Sequence, residues 1–243
     1  ISIQSSDYCE ISTYHLKKPD LQFTLNNLTF FSVGINGEKM NMKNTIVIEG
    51  LDGAGTTTQM NLIAKRLEDE GKKVFITHEP TDNPIGRMVR DVLQKKIKTT
   101  PEALALLFSS DRDDHLYNDE YGLMKKIEQG YYIITDRYKY SSVAYQGVEC
   151  DIDYIKRIND RFPHPSHLVF VDTTPESCMA RIEKRGSEKE LFERLEFLKK
   201  VRENYLKQFS SLPHGVNYLY VNGEKTIEEV EEEIWTWLKK TIL

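Results

Sequence analysis

Thr45-Ile46-Val47-Ile48-Glu49-Gly50-Leu51-Asp52-Gly53-Ala54-Gly55-Thr56-Thr57-Thr58-Gln59 decides the fold. An apolar, β-branched run leads into glycines at the spacing of a phosphate-binding loop, then hydroxyl residues, then a helical pattern. Glycines let backbone N–H groups curl around phosphate oxygens, and the helix N-terminus that follows adds positive dipole character. The pattern G-x-x-x-x-G-K-[ST] is met at Gly50, Gly55 and Thr57, but Thr56 stands where the lysine is expected. The candidate phosphate cradle is therefore Gly50, Asp52, Gly53, Ala54, Gly55, Thr56, Thr57 and Thr58. The plainer alternative is a glycine turn between a strand and a helix.

Working outward, apolar residues at Met60, Ile63, Ala64 and Leu67 predict a helix over Gln59 to Glu70, closed at Gly71. Short strands are predicted at Val74 to Thr77, Tyr131 to Thr135, Leu168 to Val171 and Tyr218 to Val221. Between them lie helical patterns from Ile85 to about Gln94, from Pro101 past Asp111, up to Gln129, from Pro175, from about Glu190 to Phe209, and from Ile227 to Lys240. Strands alternating with helices predict a three-layer α/β/α domain around a parallel sheet, joined by right-handed crossovers.

The 243 residues suffice for one α/β domain with a full core. A net charge of -5 argues against a broad nucleic-acid surface, so any anion binding must be local. The scattered Cys9, Cys150 and Cys178 form neither zinc spacing nor a disulfide framework, which suits a reducing cytoplasm. No apolar run reaches the length of a membrane helix. Residues 1–41 lack sustained periodicity and precede Met42, which reads as a natural start. They are expected to be a poorly ordered extension or a start-site artefact, with the functional domain spanning 42–243.

Asp136 ends an apolar strand, where ligands of open α/β sheets bind. It can hold a water of Mg²⁺, and Thr57 can ligate the same ion through its hydroxyl. Arg137 is a candidate fork for a phosphate dianion, against the alternative of a surface ion pair. Phe108 and Arg112 share one helix face, so a ring could stack on a base while the guanidinium reaches its edge. Alone, that pair is better read as a core Phe and a surface Arg. Ser142 and Tyr145 could equally be turn and packing residues. Arg181, Lys184 and Arg185 form a basic cluster that is either a solvated face or a lid closing over phosphates.

Taken in order, these motifs resemble the thymidylate kinase family from Met42 to Leu243. The resemblance rests on the loop block, on Glu79-Pro80 with Pro84-Ile85-Gly86 and Arg90, and on Leu106 to Arg112. It continues with Asp136-Arg137-Tyr138 followed by Ser141 to Gly147, and with Pro175-Glu176, Arg181, Arg185-Gly186 and Glu193 to Phe197. It implies a P-loop kinase with a mobile lid that transfers the ATP γ-phosphoryl group to dTMP, using Mg²⁺, as a cytoplasmic homodimer serving dTTP synthesis. Catalytic roles would fall to Asp136, Arg137, Arg181 and Arg185, and metal binding to Thr57 and Asp136. The dTMP site would comprise Asp52, Glu79, Arg90, Phe108, Arg112, Arg137, Ser142, Tyr145 and Gln146. Ala54 in the loop, with Arg181 and Arg185 in the lid, resembles a lid-arginine bacterial form. Three residues depart from the pattern: Thr56 for lysine, Thr81-Asp82-Asn83 for the Gly-Gly-Thr after Glu-Pro, and His78 for an arginine. Two alternatives remain: another deoxynucleoside or deoxynucleotide kinase, and a non-catalytic nucleotide-binding relative without the lysine.

Overall fold

The computed structural model describes residues 42–182, 188–212 and 216–242, without the side chains of 188–193. The expected extension 1–41 and the basic residues Lys184 and Arg185 lie outside the described residues. Five strands form one sheet: β1 (Met42–Gly50), β2 (Val74–His78), β3 (Tyr132–Asp136), β4 (Pro165–Asp172) and β5 (Asn217–Asn222). Their order is β2-β3-β1-β4-β5 and every pairing is parallel. The glycine loop strand is therefore central. Ile46, Val47 and Ile48 of β1, Ile133 and Ile134 of β3, and Leu168, Val169 and Phe170 of β4 are fully buried. Such unbroken apolar runs are what a parallel sheet covered on both faces requires.

The helices are α1 (Thr56–Asp69), α2 (Pro84–Leu93), α3 (Pro101–Tyr117), α4 (Leu123–Glu128), α5 (Lys139–Tyr145), α6 (Ile152–Asn159), α7 (Pro175–Arg181), α8 (Glu188–Phe209) and α9 (Ile227–Ile242). α1 buries Met60, Ile63, Ala64 and Leu67, the stripe its spacing predicts. It packs beside α9, which buries Val230, Ile234, Trp235 and Leu238. α8 contributes Leu198, Val201 and Tyr205 to the core and packs on α5. This is the three-layer α/β/α arrangement expected from the sequence.

Two helices were not announced by the residue pattern. α5, which mixes Lys139 and Ala144 with the weaker helix formers Tyr, Ser and Val, is too short to stand alone and is held by its neighbours. α6 carried a readable signal: the Asp151 carboxylate accepts from the Tyr154 N–H at 2.7 Å, an N-cap. α3 begins at its predicted cap, with Thr100 Oγ1 accepting from Ala103 N. Register sets Ile48 of β1 and His78 of β2 against Asp136, and Gly50 against Val171. The carboxyl ends of the strands thus gather Gly50, His78, Asp136, Asp172 and Asn222 along one edge of the sheet.

Candidate active site

The loop after β1 turns on two glycines in the left-handed region, Gly53 at φ 86° and Gly55 at φ 94°. Only glycine adopts these angles without strain. A Cβ at Gly53 would also stand 2.8 Å from the Cys178 carbonyl. Gly55 is the N-cap of α1 and offers no side chain, so the first-turn N–H groups of Thr56, Thr57 and Thr58 face outward without helical partners. No acidic residue occupies that turn. This is an anion cradle built from backbone. Thr56, at the lysine position, is buried, with its methyl packed toward Gly50.

The Thr57 hydroxyl donates to Asp136 Oδ2 in a very short contact. The other oxygen, Asp136 Oδ1, is buried with no hydrogen-bond partner. An orphaned carboxylate oxygen beside a loop threonine, at the mouth of a phosphate cradle, fits a hydrated Mg²⁺ that takes its other ligands from phosphates and water.

Arg137 follows at φ 74°, left-handed for a residue with a Cβ. Its N–H donates to the Ile48 carbonyl, which pins the loop to β1. Its Nη2 donates to Asp52 Oδ1 at 2.7 Å and to the Tyr145 hydroxyl at 3.3 Å. Its Nη1 donates to Ser141 Oγ at 3.0 Å and reaches the Tyr205 hydroxyl at 3.5 Å. Burial opposes its charge, yet Tyr145, Tyr205, Asp52 and Asp136 outweigh burial and hold the guanidinium firmly protonated. The Tyr145 hydroxyl also accepts from the Asp52 N–H at 2.9 Å, so it bridges the phosphate loop and α5.

A cleft of about 230 Å³ opens beside Arg137, and Phe108, Arg112, Ser142, Tyr145, Gln146 and Glu79 line it. Arg112, whose plainer sequence reading was a surface residue, is 1% exposed. Its Nε and Nη2 bind Glu79 Oε2 at 2.8 and 2.6 Å, its Nη1 donates to Asn159 Oδ1, and its Nη2 meets Ser142 Oγ at 3.1 Å. Its plane lies near the Tyr138 and Phe162 rings. Glu79 also accepts from His115 Nδ1 at 3.2 Å. Burial alone would raise the Glu79 carboxyl, but the Arg112 charge and the His115 hydrogen bond hold it below the usual range. Phe108 sits half-buried one helical turn before Arg112. Gln146 Oε1, at the far wall, is buried without a partner.

The structure thus brings Asp52, Glu79, Phe108, Arg112, Arg137, Ser142, Tyr145 and Gln146 to one cleft, with Asp136 and Thr57 next to it. Arg90 stands apart. Its guanidinium binds the Thr81 carbonyl, the Asp82 carboxylate and His78 Nε2, and it is not among the side chains lining the cleft. Asp82 and His78 are two of the departures noted in the sequence, and they supply the partners that hold it there. Arg181 lies over the loop, 3.4 Å from the Ala54 carbonyl and 3.0 Å from the Gly223 carbonyl. Arg185 lies outside the described residues. Sequence reasoning assigned nothing to His115, Asn159, Ser141, Tyr205 or Glu49. A carboxylate directly after the apolar run Ile46-Val47-Ile48, as Glu49 is, was the one readable sign among them.

A backbone phosphate cradle, a carboxylate at the end of the adjacent strand, and a second arginine-bearing cleft across from the loop define a P-loop phosphotransferase with separate donor and acceptor sites. Residues 48–234 match the protein family described as thymidylate kinase. A "Probable thymidylate kinase" of Methanococcus aeolicus is 38% identical over 208 residues, covering 83% of this chain and 100% of that protein. Another, from Pyrococcus horikoshii, is 34% identical over 204 residues, covering 82% and 97%. A Treponema pallidum protein that carries the same family name is 34% identical over 202 residues, covering 82% and 96%. The chain belongs to the thymidylate kinase family. These relatives are mostly archaeal and lend no support to the bacterial label of the sequence reading.

Proposed function

We propose that this chain transfers the γ-phosphoryl group of ATP directly to the phosphate of dTMP, giving dTDP and ADP. The observation that carries this reading is the cleft beside the phosphate loop, which the Phe108 ring, the buried Arg112 guanidinium and Arg137 line together. An oxygen of the acceptor phosphate attacks the γ-phosphorus in line as the bond to the ADP oxygen breaks. That oxygen is already ionised at neutral pH, so no strong general base is needed. Catalysis then rests on positioning and charge neutralisation.

In this reading Phe108 stacks on thymine, and Arg112 gives its remaining Nη1 hydrogen to the base O4. Arginine carries five N–H donors, and the contacts to Glu79, Asn159 and Ser142 leave room for one more. Ser142 and Gln146 face the base edge, Tyr145 packs on the sugar, and Asp52 reaches the 3′-hydroxyl. Arg137 grips the acceptor phosphate, and Glu79 orients Arg112. Arg181 and Arg185 supply donor-side charge in a lid-arginine arrangement, consistent with Ala54 in the loop.

Thr57 and Asp136 would hold Mg²⁺, whose charge offsets that of the transferring phosphates. The enzyme is read as cytoplasmic, in keeping with free thiols at Cys150 and Cys178. Among the described residues no helix is long and apolar enough to cross a membrane. A homodimer that used α2 and α3 would bury Met88 and Leu106, which are exposed there. An ADP-release assay offered dTMP, dUMP, dCMP and thymidine tests the acceptor. dTMP is expected to be preferred; preference for thymidine, or ATP binding without turnover of any acceptor, would refute the proposal.

A further inference from the structure

Glu49 ends the central strand immediately before the loop and is completely buried. Among the described residues no cation forms an ion pair with it. Its Oε1 accepts from the Tyr138 N–H at 2.9 Å and the Ser141 N–H at 3.3 Å. Its Oε2 accepts from Ser141 Oγ at 2.5 Å and the Tyr205 hydroxyl at 2.8 Å. Those four contacts match the acceptor capacity of a carboxylate. Burying such a group costs free energy unless every lone pair is used, so this is a built arrangement rather than a stray charge. Its four donor groups come from only three residues, all flanking Arg137.

The Ser141 and Tyr205 hydroxyls lie 2.7 Å apart. Each has one hydrogen, directed at the carboxylate or at the other hydroxyl. Both therefore present lone pairs to Arg137 Nη1, at 3.0 and 3.5 Å. The same carboxylate holds the Tyr138 N–H while the Ile48 carbonyl holds that of Arg137, which sustains the left-handed turn at Arg137. We infer that Glu49, acting through the Ser141 and Tyr205 hydroxyls, is the positioning residue that aims Arg137 across the cleft. The inference rests on the assignment of Arg137 to the acceptor phosphate.

Tyr205 comes from α8, the long helix beyond Arg181, so three separate parts of the chain meet at this carboxylate: the loop strand, the Arg137 turn and α8. A glutamine at position 49 would keep an oxygen for the two backbone N–H groups. It would turn an amide toward the hydroxyls, where its hydrogens compete with Arg137 for the same lone pairs. A merely structural tie predicts that both Michaelis constants move together. A positioning role predicts that the acceptor alone is affected.

The test is steady-state kinetics of the full chain, with dTMP varied at saturating ATP and the reverse, for Tyr205→Phe, Ser141→Ala, Glu49→Gln and Arg137→Ala. Tyr205→Phe and Glu49→Gln are expected to lower kcat/KM for dTMP about tenfold while the ATP KM stays within about twofold. If either variant fails to fold, Ser141→Ala carries the same comparison. An unchanged kcat/KM for dTMP in these variants, or an equal loss toward ATP, overturns the inference. In that case a loss of about a hundredfold in Arg137→Ala leaves the acceptor assignment standing. An unaffected Arg137→Ala overturns the assignment itself, and the inference with it.

Discussion

The donor and acceptor halves of the site are built by opposite means. The half proposed for the donor is backbone: glycines at positive φ and the first turn of α1, with Arg181 donating to the Ala54 carbonyl at 3.4 Å. The acceptor half is a buried network in which Arg112, Glu79, His115, Asn159 and Ser142 each bind at least one other member. Backbone recognition survives the exchange of a side chain, because the N–H groups remain wherever the chain turns. A buried ion network does not, because removing one member leaves its partner charged and dry. On the proposed reading, this contrast is why a threonine can stand at the lysine position.

The largest expected effect therefore lies on the acceptor side. Glu79→Ala strands the Arg112 charge and should cost about 3–5 kcal/mol of stability, read as a lowered denaturation midpoint. A loss below about 1 kcal/mol would mean the network is not what holds this half together. Next, Arg137→Ala should lower kcat/KM for dTMP by about 10²- to 10³-fold.

Third, burial pushes the Glu49 carboxyl up to about 7, against the Ser141 bond and the Arg137 charge that lower it. Below its ordinary value near 4.5 the group is protonated in both folded and unfolded chains. Its stabilising contribution is lost as pH rises through about 7, a difference of at most about 3 kcal/mol. Glu79 has the opposite sign, and its contribution fades only as pH falls below the usual carboxylate range. Between pH 5 and 7.5 the wild-type chain should thus lose stability relative to Glu49→Gln, as urea titrations would register. Parallel curves would contradict the placement of that charge.

The smallest effects belong to the donor side. Arg181→Ala should lower kcat about tenfold, and Thr56→Lys should change it by only about two- to threefold. A hundredfold gain from Thr56→Lys would show that the loop, not the lid, limits the rate, and would dissolve the contrast drawn here.

The sheet was readable because its strands are short apolar runs punctuated by glycine, proline and aspartate, and burial on both faces leaves that signature in one dimension. α5 was not, because it is too short to show a helical period and is held by its packing on α8. The loop was readable for the same local reason as the strands. The burial of Arg112 was not, since its partners arrive from β2's end, α5 and α6, and no spacing rule joins residues 79, 142 and 159 to residue 112. Arg90 shows the same limit, as the loop at Thr81-Asp82 engages it away from the cleft. Glu49 stood inside the most informative stretch, yet its role depends on Tyr205, 156 residues away.

The most direct test is ³¹P NMR of the purified chain with ATP, Mg²⁺ and dTMP. The account predicts that the β-phosphorus of dTDP appears in equal amount with ADP, with no inorganic phosphate. ADP accompanied by inorganic phosphate, or ATP left intact beside dTMP, would contradict it.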